Sequence, residues 1–397
     1  MESAKRITVL GNFSGRNAGD NAILGNLLDD ISSSHPDVEF IVPTLNPRFV
    51  RTAFGQHRVR ALGLMPWNGA LKIFGLPTVR AMLSADLVLV TDNILFDRSF
   101  FNPAFNYLST ISLIAPLCKR RNIPVVLYNA SLGPINTERG RRALQRVLDA
   151  GPVGILRDTS SPQLVRDLGL RGPEFVAGAD CALNTRPPAD DRIESLMAQL
   201  FQRPRRRPVI GLNVNAYIDS WQGRTGDTSR FTSIVAEAVN QITADFKVDV
   251  LLFVTQVMDH RITRELRDKL RQNKNIPVAS NPQVSFQEIA GLLSRMDLLI
   301  AMRTHAQILA ASVATPFVNI NSYPKSRAFL DTIGMGDWSL DVAEVTVERL
   351  IELVHRAWLA RDSSRAQLLT EVRRERDKAR AAVHVIGRYL ADATPPS

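Results

Sequence analysis

The feature that most constrains this chain is an alternation. Apolar runs of only a few residues recur between stretches of helical spacing from one end of the sequence to the other. That pattern predicts βαβ units, because neighbouring parallel strands need a crossover of about a dozen residues and a helix supplies it. Strands are expected at 7–10, 38–42, 87–90, 125–128, 153–156 and 174–177, with helices at 21–32, 105–121, 138–148 and 162–168 between them. A second series follows, with strands at 209–214, 250–255, 277–279, 298–302 and 317–320 and helices at 231–246, 261–273, 286–294 and 305–313.

The texture breaks once, around Asn184-Thr-Arg-Pro-Pro-Ala-Asp-Asp and the cluster Arg203-Pro-Arg-Arg-Arg-Pro. The expected fold is therefore α/β, with two Rossmann-like, doubly wound domains at 1–188 and 208–343 and, between them, a linker at 189–207 that carries a short amphipathic helix at 192–202. A basic helical C-terminal extension is expected at 344–397. Its helices are expected to pack back on the domains, with the nine arginines between Arg349 and Arg388 on a wet face or, alternatively, to offer a surface to an anionic membrane.

Composition then narrows the partners. The chain has 397 residues and a net charge of +10, so anionic ligands are favoured. No nucleic-acid module and no aromatic-basic surface accompany the charge, which argues against nucleic acid. Cys118 and Cys181 show no metal or disulfide spacing, no apolar leader opens the chain, and no apolar run reaches membrane-spanning length. A cytoplasmic protein is expected, at most peripheral to the inner face of a membrane.

In open α/β sheets ligands bind beyond the carboxyl ends of the strands, where helix N-termini offer unpaired N–H groups to anions. Four junctions there carry polar residues. The first, Gly11 to Ile23, holds Asn17, Gly19 and Asp20 and is either a flexible turn or a ligand loop. It lacks the nucleotide-binding glycine patterns. The second is Arg157-Asp158. Arg157 either forks an anion or pairs with Asp158 or Asp180. The third is Arg303-Thr304-His305. Thr304 and Gln307 suit a capping box that would place His305 in the first helical turn, where the dipole favours its neutral form and attracts an anion. The fourth, Asn319 to Arg327, brings Tyr323, Lys325 and Arg327 to the same sheet edge and would complete a cationic bowl. No cluster with metal-ligand spacing is present in the sequence, so no metal is expected.

These residues resemble a family, the polysaccharide pyruvyl transferases, over most of the first 335 positions. The likeness lies in Asn17-Ala-Gly-Asp-Asn-Ala-Ile, Ser131-Leu-Gly-Pro134, Arg157-Asp158, Asp180, Ser285 to Ala290, Arg303-Thr304-His305 and Tyr323-Pro-Lys325. The resemblance implies a GT-B-like pair of domains and phosphoenolpyruvate as donor substrate, with no further cofactor. It also implies a saccharide or lipid-linked saccharide as acceptor, and release of phosphate. Arg157, Arg303 and Lys325 would then clamp the donor and His305 would move a proton. Two positions depart from the family pattern. Thr304 stands where leucine is usual, and Thr91-Asp92-Asn93 replaces a glycine-rich turn. The rival readings are a GT-B-type glycosyltransferase or nucleotide-sugar enzyme, and a non-catalytic binding protein of the same shape.

Overall fold

The computed structural model describes residues 4–64, 75–97, 107–202, 207–216, 228–271, 275–322 and 324–391. The arginines of the 203–206 stretch and Tyr323 lie outside them. The chain divides into two compact units.

The first unit runs β1 (Arg6–Leu10), α1 (Ala18–Ser34), β2 (Glu39–Thr44), α2 (Pro47–Ala53), β3 (Val59–Gly63), α3 (Gly75–Leu83) and β4 (Leu87–Val90). It continues with α4 (Tyr107–Arg120), β5 (Val125–Ala130), α5 (Glu138–Ala150), β6 (Val153–Leu156), α6 (Ser160–Asp167) and β7 (Glu174–Ala177). The sheet is parallel throughout, in the order β3-β2-β1-β4-β5-β6-β7. Every residue of β4, β5 and β6 is buried, as expected of strands covered by helices on both faces. The half-exposed edge strand β3 is absent from the sequence-based expectation. Its Val-Arg-Ala-Leu-Gly has no apolar run, because an edge strand need not be covered on both sides.

The second unit holds α7 (Asp190–Phe201), β8 (Val209–Asn213), α8 (Thr228–Phe246), β9 (Asp249–Val254), α9 (His260–Lys269), β10 (Val278–Ser280) and α10 (Phe286–Leu293). It is completed by β11 (Leu298–Ala301), α11 (Thr304–Ser312), β12 (Phe317–Asn321), α12 (Pro324–Thr332), β13 (Ser339–Asp341) and α13 (Val347–Leu359). The parallel order is β10-β9-β8-β11-β12-β13. Both sheets are thus doubly wound, with strand order reversing direction at β1/β4 and at β8/β11.

The unit boundaries differ from the expected domain limits in three places. Residues 16–22 group with the second unit although β1 and the rest of α1 belong to the first. The helix expected within the linker forms as α7 and belongs to the second unit, burying Ile193, Leu196, Met197 and Phe201. Arg192 of α7 donates to Glu288 of α10, and a Cβ at Gly291 would lie 2.3 Å from Ile193, so the two helices are in close contact. The C-terminal stretch is divided as well. α13 packs on α8, with Trp358 stacked on Phe246 at 4.8 Å. Beyond it, α14 (Arg361–Ala391) begins in the second unit, and from Glu375 on it belongs to the first, burying Ala379, Ala382, Val383, Ile386 and Leu390.

Candidate active site

In the second unit, β11 is fully buried and ends beside the reversal point of the sheet, where its last residues must turn polar. Arg303 is the N-cap of α11, and His305 falls in the first turn. The expected capping box does not form. The Thr304 hydroxyl meets Ser326 Oγ at 2.6 Å. Gln307 is fully buried and donates to Asn319 Oδ1 (2.7 Å) and to the Ala301 carbonyl. Gln307 is turned into the core, where an unmet amide is costly, so it bonds there and not back to the helix start.

Arg303 is held from below. Its Nε and Nη2 donate to the two carboxylate oxygens of Asp259 at 2.8 and 2.7 Å, a fork-to-fork pair. Asp259 is completely buried in the short turn after β9, and its Oδ1 also accepts from the Ala216 N–H. The Arg303 N–H donates to Asn213 Oδ1 at the end of β8, and Asn213 donates to the Phe253 carbonyl on β9. Asp259 thus fixes the plane of the guanidinium, while Asn213 fixes the backbone that carries it. The sequence reading overlooked Asp259 and Asn213. The available signal was an amide, Asn213, at the end of the strand beside the reversal point.

The loop at 16–22 closes on the same edge. Ala18 N–H donates to the Thr255 carbonyl (2.8 Å) and Val257 N–H to the Arg16 carbonyl (3.0 Å), the pairing of a two-residue antiparallel bridge between Asn17 and Gln256. Asn17 Oδ1 accepts from Gly19 N–H and its amide donates to Asp20, which is buried. A Cβ on Gly19 would lie 2.1 Å from His305 Cγ and 2.2 Å from its Nδ1. Only glycine admits the imidazole here, so Gly19 and His305, 286 positions apart in the chain, are in direct contact.

Of the other cations expected in the bowl, Lys325 sits in the first turn of α12. Arg327 is exposed and donates to Asp331 one turn further along, at 3.1 Å, which commits its charge to its own helix.

The first unit carries a separate polar cluster at its own reversal point. Arg157, at the end of β6, donates from Nη1 to Asp180, from Nη2 to Asp92 (3.0 Å) and from Nε to Ser131 Oγ (2.9 Å). Ser131 donates to Asp158, which also accepts from the Ser160 hydroxyl and the Ser161 N–H. Burial works against the guanidinium charge, but Asp180, Asp92 and Asp158 outweigh it and keep Arg157 charged at any pH the fold survives. Of the partners expected for Arg157, Asp180 pairs with it directly, Asp92 joins it, and Asp158 is linked to it through Ser131. Three acids surround one cation, so this cluster is acidic and does not resemble an anion clamp. Asp92 adopts a left-handed backbone (φ 57°), the conformation glycine favours, and from there its side chain reaches Arg157. Asn93 follows it in the same turn.

Two doubly wound parallel sheets with ligand-type residues at each reversal point define a GT-B-like α/β protein. The chain belongs to the polysaccharide pyruvyl transferase family, which it matches over residues 17–322. It is similar to the amylovoran biosynthesis protein AmsJ of Erwinia amylovora, with 22% identity over 383 residues, covering 88% of this chain and 91% of AmsJ. Among solved structures it resembles the Neisseria meningitidis UDP-GlcNAc 2-epimerase bound to UDP-GlcNAc (TM-score 0.61, 12% identity, 98% of this chain and 99% of that one). It is also similar to Anabaena HepE in complex with UDP and glucose (TM-score 0.62, 15% identity, 98% and 100% covered). At these identities the two structures speak for the fold.

Proposed function

We propose that this protein transfers pyruvate from phosphoenolpyruvate to two hydroxyls of a saccharide or lipid-linked saccharide, forming a cyclic ketal and releasing phosphate. The observation that carries the reading is the junction Arg303-Thr304-His305, with its guanidinium fixed by Asp259 and its imidazole against Gly19, in a chain of this family.

In the reaction two C–O bonds form at C2 of the donor and the bond from C2 to the phosphate oxygen breaks. One hydroxyl proton ends on the donor methylene and the other leaves with phosphate. Arg303 and Lys325 take the phosphate and carboxylate charges, and the N-terminus of α11 adds its dipole. His305 carries the proton, work an imidazole held beside the donor can do through a ring nitrogen. Within the first unit, Arg157 draws Asp92, Asp180 and Ser131 into one cluster whose carboxylates suit sugar hydroxyls better than phosphate.

The test is phosphate release from phosphoenolpyruvate across a panel of free and lipid-linked saccharides, with UDP-sugars run in parallel. Acceptor-dependent phosphate release that disappears in Arg303→Ala supports the reading. Nucleotide release from a UDP-sugar without any reaction of phosphoenolpyruvate would replace it with the nucleotide-sugar alternative suggested by the structural neighbours.

A further inference from the structure

We propose that the outer face of α4 and α5 in the first unit is a docking surface for an anionic lipid membrane. α4 presents Leu113, 66% exposed, and Leu117, 41% exposed, one turn apart on the face opposite its buried Leu108, Ile111, Ile114, Ala115 and Cys118. The same helix ends in Lys119 and Arg120, and Arg121 follows, all three exposed. α5 packs directly beside α4, and Lys119 Nζ donates to the Asp149 carbonyl at 2.6 Å, so the two helices end side by side. The solvent face of α5 carries Arg139, Arg142 and Arg146 at helical spacing.

From Leu113 to Asp149 there are seven cations against two carboxylates, Glu138 and Asp149, a surplus of five in a molecule whose whole surplus is ten. Two exposed leucines flanked by cations match the interface of a lipid leaflet, where apolar side chains enter and Lys and Arg meet headgroups. The same charge argues against a second copy of this chain as the occupant. A two-fold interface sets a patch against itself and would bring two surpluses of five together. α14 is also arginine-rich but intersperses Glu371, Glu375 and Asp377 among its cations. The inference stands apart from the reaction proposed above, since none of these residues belongs to the candidate active site.

The experiment is co-sedimentation of the full chain with vesicles, either pure phosphatidylcholine or containing roughly one-third phosphatidylglycerol, at about 0.1 M and about 0.5 M salt. Binding to the anionic vesicles alone, released by salt, is expected. Arg139→Glu/Arg142→Glu/Arg146→Glu should abolish it, since each cation near such a surface contributes roughly fivefold. Leu113→Ser/Leu117→Ser should weaken it by about tenfold or more, because two side chains lose their place in the leaflet. Arg373→Gln/Arg380→Gln on α14 should bind as the parent does. Thermal melts within a few degrees of the parent confirm that the variants fold, and Leu113→Ser/Leu117→Ser, altering only exposed positions, keeps the test open if the triple variant misfolds. Absence of binding, equal binding to neutral vesicles, or loss in the α14 variant alone would overturn the proposal. So would a concentration-dependent doubling of mass that the same α4 and α5 substitutions remove, which would assign the face to a second copy.

Discussion

Arg303 and Asp259 are chemically unequal partners. Arg303 retains some exposure, whereas Asp259 has none, so removing the arginine leaves a carboxylate charge buried without compensation. Arg303→Met should therefore cost about 3–5 kcal/mol in urea unfolding as well as activity. Asp259→Asn should cost less stability but still lower turnover, because the guanidinium is then fixed by one hydrogen bond where it had two. Equal destabilisation by the two variants would show that the burial of Asp259 does not set the balance. His305→Gln should slow phosphate release by about 10²- to 10⁴-fold, the usual loss for a general acid or base. Gly19→Ala probes the same ring without touching its chemistry. The added methyl overlaps the imidazole and must displace it, and misplacement by about 1 Å typically costs on the order of 10² in rate. Gly19→Ala with unchanged turnover would mean that the position of His305 is not critical. Arg303 and His305 were legible in the sequence because polar residues stand out at the end of an apolar strand. Asp259 was not, because its partner is 44 positions away and no local pattern marks a buried acid.

Ser160 to Gln163, Ser285 to Glu288 and Thr304 to Gln307 each place Ser/Thr-x-x-Glu/Gln at a helix start, and of these three only the second forms the box. Ser285 Oγ accepts from the Glu288 N–H while Glu288 accepts from the Ser285 N–H. At Thr304 and Gln307 the same spacing fails, since tertiary partners claim both side chains. Local pattern thus located α10 and α11 equally well but could not say how either is capped. It also missed β13, three residues long, whose Ser-Leu-Asp is held by its ladder to β12 and carries no strand signature of its own. The box at α10 has a pH signature. Burial opposes the Glu288 charge, but the Ser285 N–H and Arg192 prevail and hold its pKa below the ordinary carboxylate value of 4.5. A depressed carboxylate stabilises the fold fully above that ordinary value, and the contribution is lost as the pH falls through the lowered one. Glu288→Gln should reduce stability at neutral pH and remove part of the acid sensitivity of thermal unfolding. An acid limb identical to the parent's would exclude Glu288 as a contributor. Ser285→Ala should cost about 1 kcal/mol.

At the scale of the molecule, α14 packs back on the domains with an arginine-rich outer face, as the helical spacing of its apolar residues predicts. What the spacing does not tell is the destination: from Glu375 on the helix supplies core to the first unit, whose other residues end at Cys181. Its apolar positions show why. Ala379, Ala382, Val383, Ile386 and Leu390 recur at helical spacing and are buried, while the arginines between them face outward. One polar contact marks the docking site. Asn129, in a left-handed conformation at the end of β5, donates to the Ala379 carbonyl (3.2 Å) and to Cys181 Sγ (3.3 Å). Both cysteines are shielded and protonated near neutrality. Burial pushes the Cys118 thiol up to about 11, and Cys181 is raised further by burial despite the hydrogen bond from Asn129. In the intact chain a thiol reagent at pH 8 should therefore label neither residue until the first unit opens. A chain ending at Arg374 removes the helix segment whose Ala379 carbonyl holds Asn129, the residue that also bonds Cys181, but leaves α4, which carries Cys118 on its buried face. Cys181 should then react in native buffer, at a rate at least tenfold above the parent's, while Cys118 stays protected. Equal protection of Cys181 in both chains would show that the last turns of α14 add little to the first unit. Simultaneous labelling of both cysteines would show that this unit cannot fold without them.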